Sequence, residues 1–153
     1  MAGLAGWLLA GCGNEVSTRE RLGSLRSIEL EQETSYVYSL DTTRRRLEIA
    51  EDGRAVMTNV DTGAKQYADL GSSGFRDLAD GINKVEIWTL KPSYVEGNGG
   101  HHGDETTTYT LRASYRADAF ETVWTEDGAP AELVAQRKAI QVVGDQAQWR
   151  ESP

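Results

Sequence analysis

The sequence predicts an α+β fold: an antiparallel meander sheet with two helices packed on one face. Three observations predict it. Between residues 27 and 70, short alternating segments are separated by turn signals such as Glu51-Asp52-Gly53 and Asp61-Thr62-Gly63. At Phe75 the apolar period changes from two to 3.6, through Phe75, Leu78, Ala79 and Ile82. A second strand pair, Thr106–Tyr115 and Phe120–Thr125, then leads into another helical stripe.

Ser27–Glu31 alternates, with Ile28 and Leu30 on one face. Ser35–Leu40 is rich in Tyr and Val and reads as the next strand, followed by Arg46–Ile49. Arg54–Val60 reads as a strand with Val56 and Met57 toward the core, and Lys65–Leu70 as a fifth. The first helix is expected over 73–84, capped by Ser72 or Ser73, whose hydroxyl can satisfy the free backbone N–H groups there. Val85–Leu90 reads as a strand or extended exit, and Lys91–Glu105 as a long Gly-rich loop. Thr106–Tyr115 alternates most clearly, placing Thr107, Tyr109, Leu111, Ala113 and Tyr115 on one face. Pro130 suits the first position of a helix over 130–144 with Leu133, Val134, Arg137, Ile140 and Val143 along one stripe. Trp149 is expected to fold back over the core.

The chain has 153 residues, the size of one domain. Four Trp, six Tyr and two Phe supply core material, which argues against disorder. Acidic residues outnumber basic ones by 24 to 16, a net charge of −8 that repels a polyanion, so nucleic acid is not expected as a partner. Arg44-Arg45-Arg46, the one basic run, reads as a solvated strand edge or turn. A single cysteine excludes an internal disulfide, a thiolate zinc site and a Cys-x-x-Cys redox pair.

That cysteine ends an uncharged, apolar or small run, Met1 to Gly11, after which Gly13-Asn14-Glu15 turns polar. The run is too short to span a bilayer but suits the apolar core of an export signal. Leu9-Ala10-Gly11-Cys12 resembles the lipobox of bacterial lipoproteins. The resemblance implies cleavage between Gly11 and Cys12, where small Ala10 and Gly11 fit a narrow peptidase site, and a diacylglycerol on the Cys12 thiol. Several acyl chains then give lasting membrane attachment. Residues 1–11 become a signal peptide, 12–26 a lipidated tether with one helical turn around Thr18–Leu22, and 27–153 a single α+β domain. No Lys or Arg precedes the apolar run, so export from Met1 is expected to be poor. Gly13, rather than the Asp that retains such proteins in the inner membrane, implies an outer-membrane address facing the periplasm.

Chemistry is sparse. His101-His102-Gly103-Asp104-Glu105 groups two imidazoles with two carboxylates, but adjacent histidines on a loop rarely face one ion, and no third histidine exists. A metal-dependent hydrolase built on that loop is the weakest of three readings. No Gly-x-Ser-x-Gly elbow and no P-loop occurs. No catalytic residue, metal or cofactor is expected. The loop is the candidate binding element, with Tyr94, His101, His102, Asp104 and Glu105. The aromatic set Trp88, Tyr94, Tyr109, Tyr115, Phe120 and Trp124 reads as core, with an exposed binding patch as the alternative.

From Phe75 through Val143 the cadence is a short helix, Ile87-Trp88-x-Leu90, Tyr94, an acidic Gly-rich loop, Tyr109-x-Leu111, Phe120-x-x-x-Trp124 and a terminal helix. It resembles emfourin-type metalloprotease inhibitors, and equally several uncharacterised periplasmic domains. The resemblance implies a small α+β domain without catalytic residues. The leading expectation is a lipid-anchored envelope domain that binds an unidentified ligand, such as an envelope or secreted protein. An inhibitor of a thermolysin-like metalloprotease is the alternative.

Overall fold

The computed structural model describes residues 17–36, 38–39, 41–95 and 105–152. In chain order the elements are α1 (Thr18–Leu22), β1 (Leu25–Tyr36), β2 (Thr42–Ala50), β3 (Arg54–Asn59), β4 (Lys65–Asp69), α2 (Gly71–Val85), β5 (Ser93–Tyr94), β6 (Glu105–Tyr115), β7 (Ala119–Thr125) and α3 (Ala131–Gln146). A 3₁₀ turn, Ile87–Thr89, follows α2.

The α+β class holds, but the sheet is not a pure antiparallel meander. Its order is β4-β3-β2-β1-β6-β7-β5. Strands β1 to β4 do form an antiparallel meander. The chain then leaves through α2 and returns so that β6 pairs antiparallel with the other side of β1. β5 runs parallel to β7 at the far margin. The segments read as two strands, Ser27–Glu31 and Ser35–Leu40, merge: β1 continues to Tyr36, while Tyr38 and Ser39 lie in the following turn. Cross-strand pairing along the whole of β1 overrides the weaker alternation near Gln32.

Strand parity sends Ile28, Leu30, Leu47, Ile49, Leu111, Ala113 and Trp124 toward the helices, where they are buried. From α2 they meet Phe75, Leu78, Ala79 and Ile82, and from α3 Leu133 and Ile140. Each fully buried large aliphatic contributes roughly 1.5–3 kcal/mol. Parity also corrects β3: Ala55 is buried and Met57 packs on the core, whereas Val56 lies on the opposite, open face. Leu22 and Leu25 are core residues too, so packing starts within the stretch read as tether. Trp149 packs against the core, and its indole N–H donates to the Gly144 carbonyl at 2.8 Å.

Both helices appear where the period changes, but their ends differ in chemistry. Neither Ser72 nor Ser73 caps α2. Leu70 is its N-cap, with no side-chain capping bond, while the Gly71 N–H donates to Asp69 Oδ1 at 2.8 Å. Gly53 (φ +88) and Gly71 (φ +68) sit back to back; a Cβ on Gly53 would fall 2.3 Å from the Gly71 carbonyl oxygen. This contact seats the β2–β3 turn against the start of α2. Val85–Leu90 is not a strand: Glu86 adopts a left-handed conformation (φ 52), stops the helix and tightens the chain into the 3₁₀ turn.

Candidate functional site

The predicted binding loop divides. His101, His102 and Asp104 lie outside the described residues, as do Gly11 and Cys12. Tyr94 and Glu105 do not come together. Tyr94 is half-buried in β5 opposite Trp124, and its hydroxyl accepts the Lys91 N–H at 3.0 Å. Glu105 is exposed at the start of β6, opposite Tyr36. Two strand positions and four residues along β6 separate them. The aromatic set is core material: Tyr109, Tyr115 and Trp124 are buried, and Trp88, Tyr94 and Phe120 pack against them.

The open face carries the more organised chemistry. The registers place seven residues in a single row across it: Glu121, Arg112, Glu29, Glu48, Val56, Tyr67 and Arg150. Arg150 joins because the C-terminal tail pairs with β4, through Tyr67 N–H to the Arg150 carbonyl at 2.8 Å and the reverse bond at 2.9 Å. Each member is therefore about 4.8 Å from the next at the backbone.

One half of the row is closed on itself. Arg112 donates to Glu29 at 2.9 Å and also pairs with Glu121. Arg46 lies 2.8 Å from Glu31 and 3.6 Å from Glu29. The hydrogen bond to Glu31 is the main cause raising the Arg46 pKa, as the bond to Glu121 is for Arg112, in both cases against desolvation. The arginine run is thus not a strand edge. β2 has a partner on each side, and Arg46 neutralises two carboxylates of β1.

The other half is open. A trough of about 670 Å³ has Ser27, Glu48, Ala50, Val56 and Tyr67 in its lining, with Arg150 and Ser152 of the tail at its far wall. That volume is in the range of small-ligand sites. Glu48 stands directly opposite Glu29, a like charge; it attracts Arg46 through space, but its carboxylate makes no hydrogen bond or ion pair among the described residues. The Arg150 guanidinium and the Tyr67 hydroxyl are likewise without a partner among the described residues. The remaining charges are committed. Arg54 pairs with Asp52 at 2.6 Å, and Asp69 accepts from Gly71. The Arg54 N–H, and after it the guanidinium, hold the Asp52 carboxyl below the usual carboxylate range. The trough therefore has a half-buried Val–Tyr floor, an uncommitted carboxylate at one side and an uncommitted guanidinium at the other.

A separate polar cluster lies under α3. Arg137, on the stripe read as apolar, is buried and sits 4.4 Å over the Tyr109 ring. It donates to Glu126 at 2.7 Å, Gln141 at 2.9 Å and the Tyr109 hydroxyl at 3.2 Å, while Gln141 reaches Gln32 at 3.1 Å. Burial is the main cause raising the Tyr109 pKa, opposed by Arg137. These bonds tie α3 to β1, β6 and the turn after β7, which is a structural task.

No protein-family model matches the chain. A search of curated proteins also gives no match. Among the described residues, no group of three or more His, Cys, Asp or Glu side chains could hold a metal ion. Sequence reasoning missed Glu48, Val56, Tyr67 and Arg150 as a unit, because strand register and tail pairing alone bring them together.

Proposed function

We propose that this chain is a lipid-anchored protein of the bacterial cell envelope that acts by binding rather than catalysis, with the trough on the open sheet face as its ligand seat. The observation that carries the binding reading is the row itself. In one half Arg112 pairs with the carboxylates on both sides of it, whereas in the other a carboxylate and a guanidinium stand apart across Val56 and Tyr67, facing a cavity without an ion pair. Unmatched groups of opposite sign around an apolar floor are what orient a bound molecule. The anchor reading rests on Leu9-Ala10-Gly11-Cys12, and Gly13 favours an outer-membrane address.

The packed domain begins close to the proposed anchor. Ser17 caps α1 through a reciprocal bond pair with Glu20. Four residues lie between Cys12 and Ser17, so the five steps from one to the other span at most about 18 Å of extended chain. The trough would therefore work close to the bilayer.

Two measurements test this reading. Labelled fatty acid should enter the wild-type chain in an export-competent host and not the Cys12→Ser variant; equal labelling would remove the anchor. A photo-crosslinking residue at Val56 in the anchored protein should give an adduct that the same residue at Thr110, in the row's neighbouring closed region, does not. No difference between the positions would remove the trough as the seat. Titration against thermolysin decides the alternative: stoichiometric inhibition would install the emfourin-type reading in place of this one.

A further inference from the structure

We propose that the trough recognises a short, extended zwitterionic peptide, its ammonium end at Glu48 and its carboxylate end at Arg150. This rests on the binding reading and specifies its ligand. Glu48 and Arg150 are the two ends of one straight segment of the row, Glu48–Val56–Tyr67–Arg150. Three strand spacings separate their backbones, ~14 Å. Side chains on one face stand roughly perpendicular to the sheet, so the charged heads keep about that separation; a charge-assisted hydrogen bond of about 2.8 Å at each end leaves roughly 9 Å for the ligand itself. A dipeptide or tripeptide spans on the order of 7–10 Å extended and matches it.

The polarity is set by the surroundings. Glu48 already faces the Glu29 carboxylate across the β1–β2 pair, so an incoming cation relieves a like-charge contact as well as making an ion pair. Arg46, two positions along β2, attracts Glu48 through space but makes no ion pair with it, its bonds going to Glu31 and Glu29. At the other end Arg150 offers a planar donor fork suited to a carboxylate. Between them Val56 and Tyr67 present half-buried apolar surface, which favours small aliphatic side chains in the middle of the ligand. An anion without a cationic end would meet Glu48, and a cation without an anionic end would leave Arg150 unmatched.

The probe is trialanine with free ends, added at millimolar concentration to the full chain carrying Cys12→Ser and followed by amide NMR. Shifts should concentrate at Glu48, Val56, Tyr67 and Arg150. N-acetylation and C-terminal amidation of the probe should each weaken binding about fivefold, the upper end of what an exposed ion pair contributes. Glu48→Gln should abolish the penalty for acetylation and keep that for amidation; Arg150→Gln should do the reverse. A misfolded variant cannot produce that reciprocal pattern. Equal affinity for all probe forms, or unchanged discrimination in both variants, overturns the proposal. If trialanine leaves the row unmoved while the Val56 adduct still forms, the peptide assignment is wrong and the binding seat stands. If both are silent, both readings fall.

Discussion

The two faces of this sheet are built from the same strands and solve opposite problems. Toward the helices, Ile28, Ile49, Leu111 and Trp124 are fully or almost fully removed from water. The open face, a few ångströms away along the same backbones, is made of Glu, Arg, Thr and Ser at most positions. The helix face is held by area and shape. The open face is held by pairing, and where pairing stops at Glu48 it is free to do something else.

The contrast can be broken most forcefully at Trp124, which is 0% exposed and stacks on Tyr109 with ring centroids 5.7 Å apart. Trp124→Ala should cost roughly 3–5 kcal/mol in urea unfolding. Val56→Ala on the open face should cost under about 1 kcal/mol. Comparable losses would mean that the open face is a second core surface.

Tyr115 sharpens the comparison through pH. Burial pushes its phenol up to about 12, while the usual value is 10.0. The folded state thus favours the neutral phenol, a contribution intact below pH 10 and lost as pH rises toward about 12. Urea midpoints should fall across that window, and Tyr115→Phe should flatten the fall. The variant keeps the ring contacts to Trp88 and Phe120 but loses the 2.8 Å bond to Asn83, a cost of about 1 kcal/mol.

Smaller effects belong to the open face. Arg112→Ala breaks the bonds to Glu29 and Glu121 and should cost under about 1 kcal/mol, shrinking as salt is added. Glu48→Gln should leave stability unchanged or raise it by a few tenths of a kcal/mol, because it removes a like-charge contact with Glu29. A clear loss on Glu48→Gln would mean that Glu48 has a structural partner and is not a ligand group.

Much of the helix face was legible in the sequence, because parity and period are local signals. Phe75, Leu78, Ala79 and Ile82 mark α2, and Tyr109 to Tyr115 mark the buried side of β6. Local signals failed where distant contacts decide. Val85–Leu90 carries strand-type residues, yet Glu86 ends the helix in a left-handed turn. The two-residue β5 exists because Thr122 Oγ1 donates to the Lys91 carbonyl and Val123 N–H to that of Pro92. The row on the open face was invisible for the same reason: nothing near Glu48 announces Arg150, 102 positions later. Arg137 shows the reverse limit. Its place on the apolar stripe of α3 was readable, but its buried bonds to Tyr109, Glu126 and Gln141 were not.

The pairing of Tyr67 with Arg150 has a consequence for how copies of this protein meet. A sheet margin with free outward N–H and C=O groups is a template on which another chain can add, and addition repeated is a fibril. Along β4 the tail occupies the Tyr67 positions with the chain's own backbone. At the opposite margin β5 is two residues long and follows Pro92, which has no N–H to offer. Both ends of a seven-stranded sheet are thereby blunted, one by a strap and one by brevity. Copies of a chain held at high local concentration gain most from that arrangement.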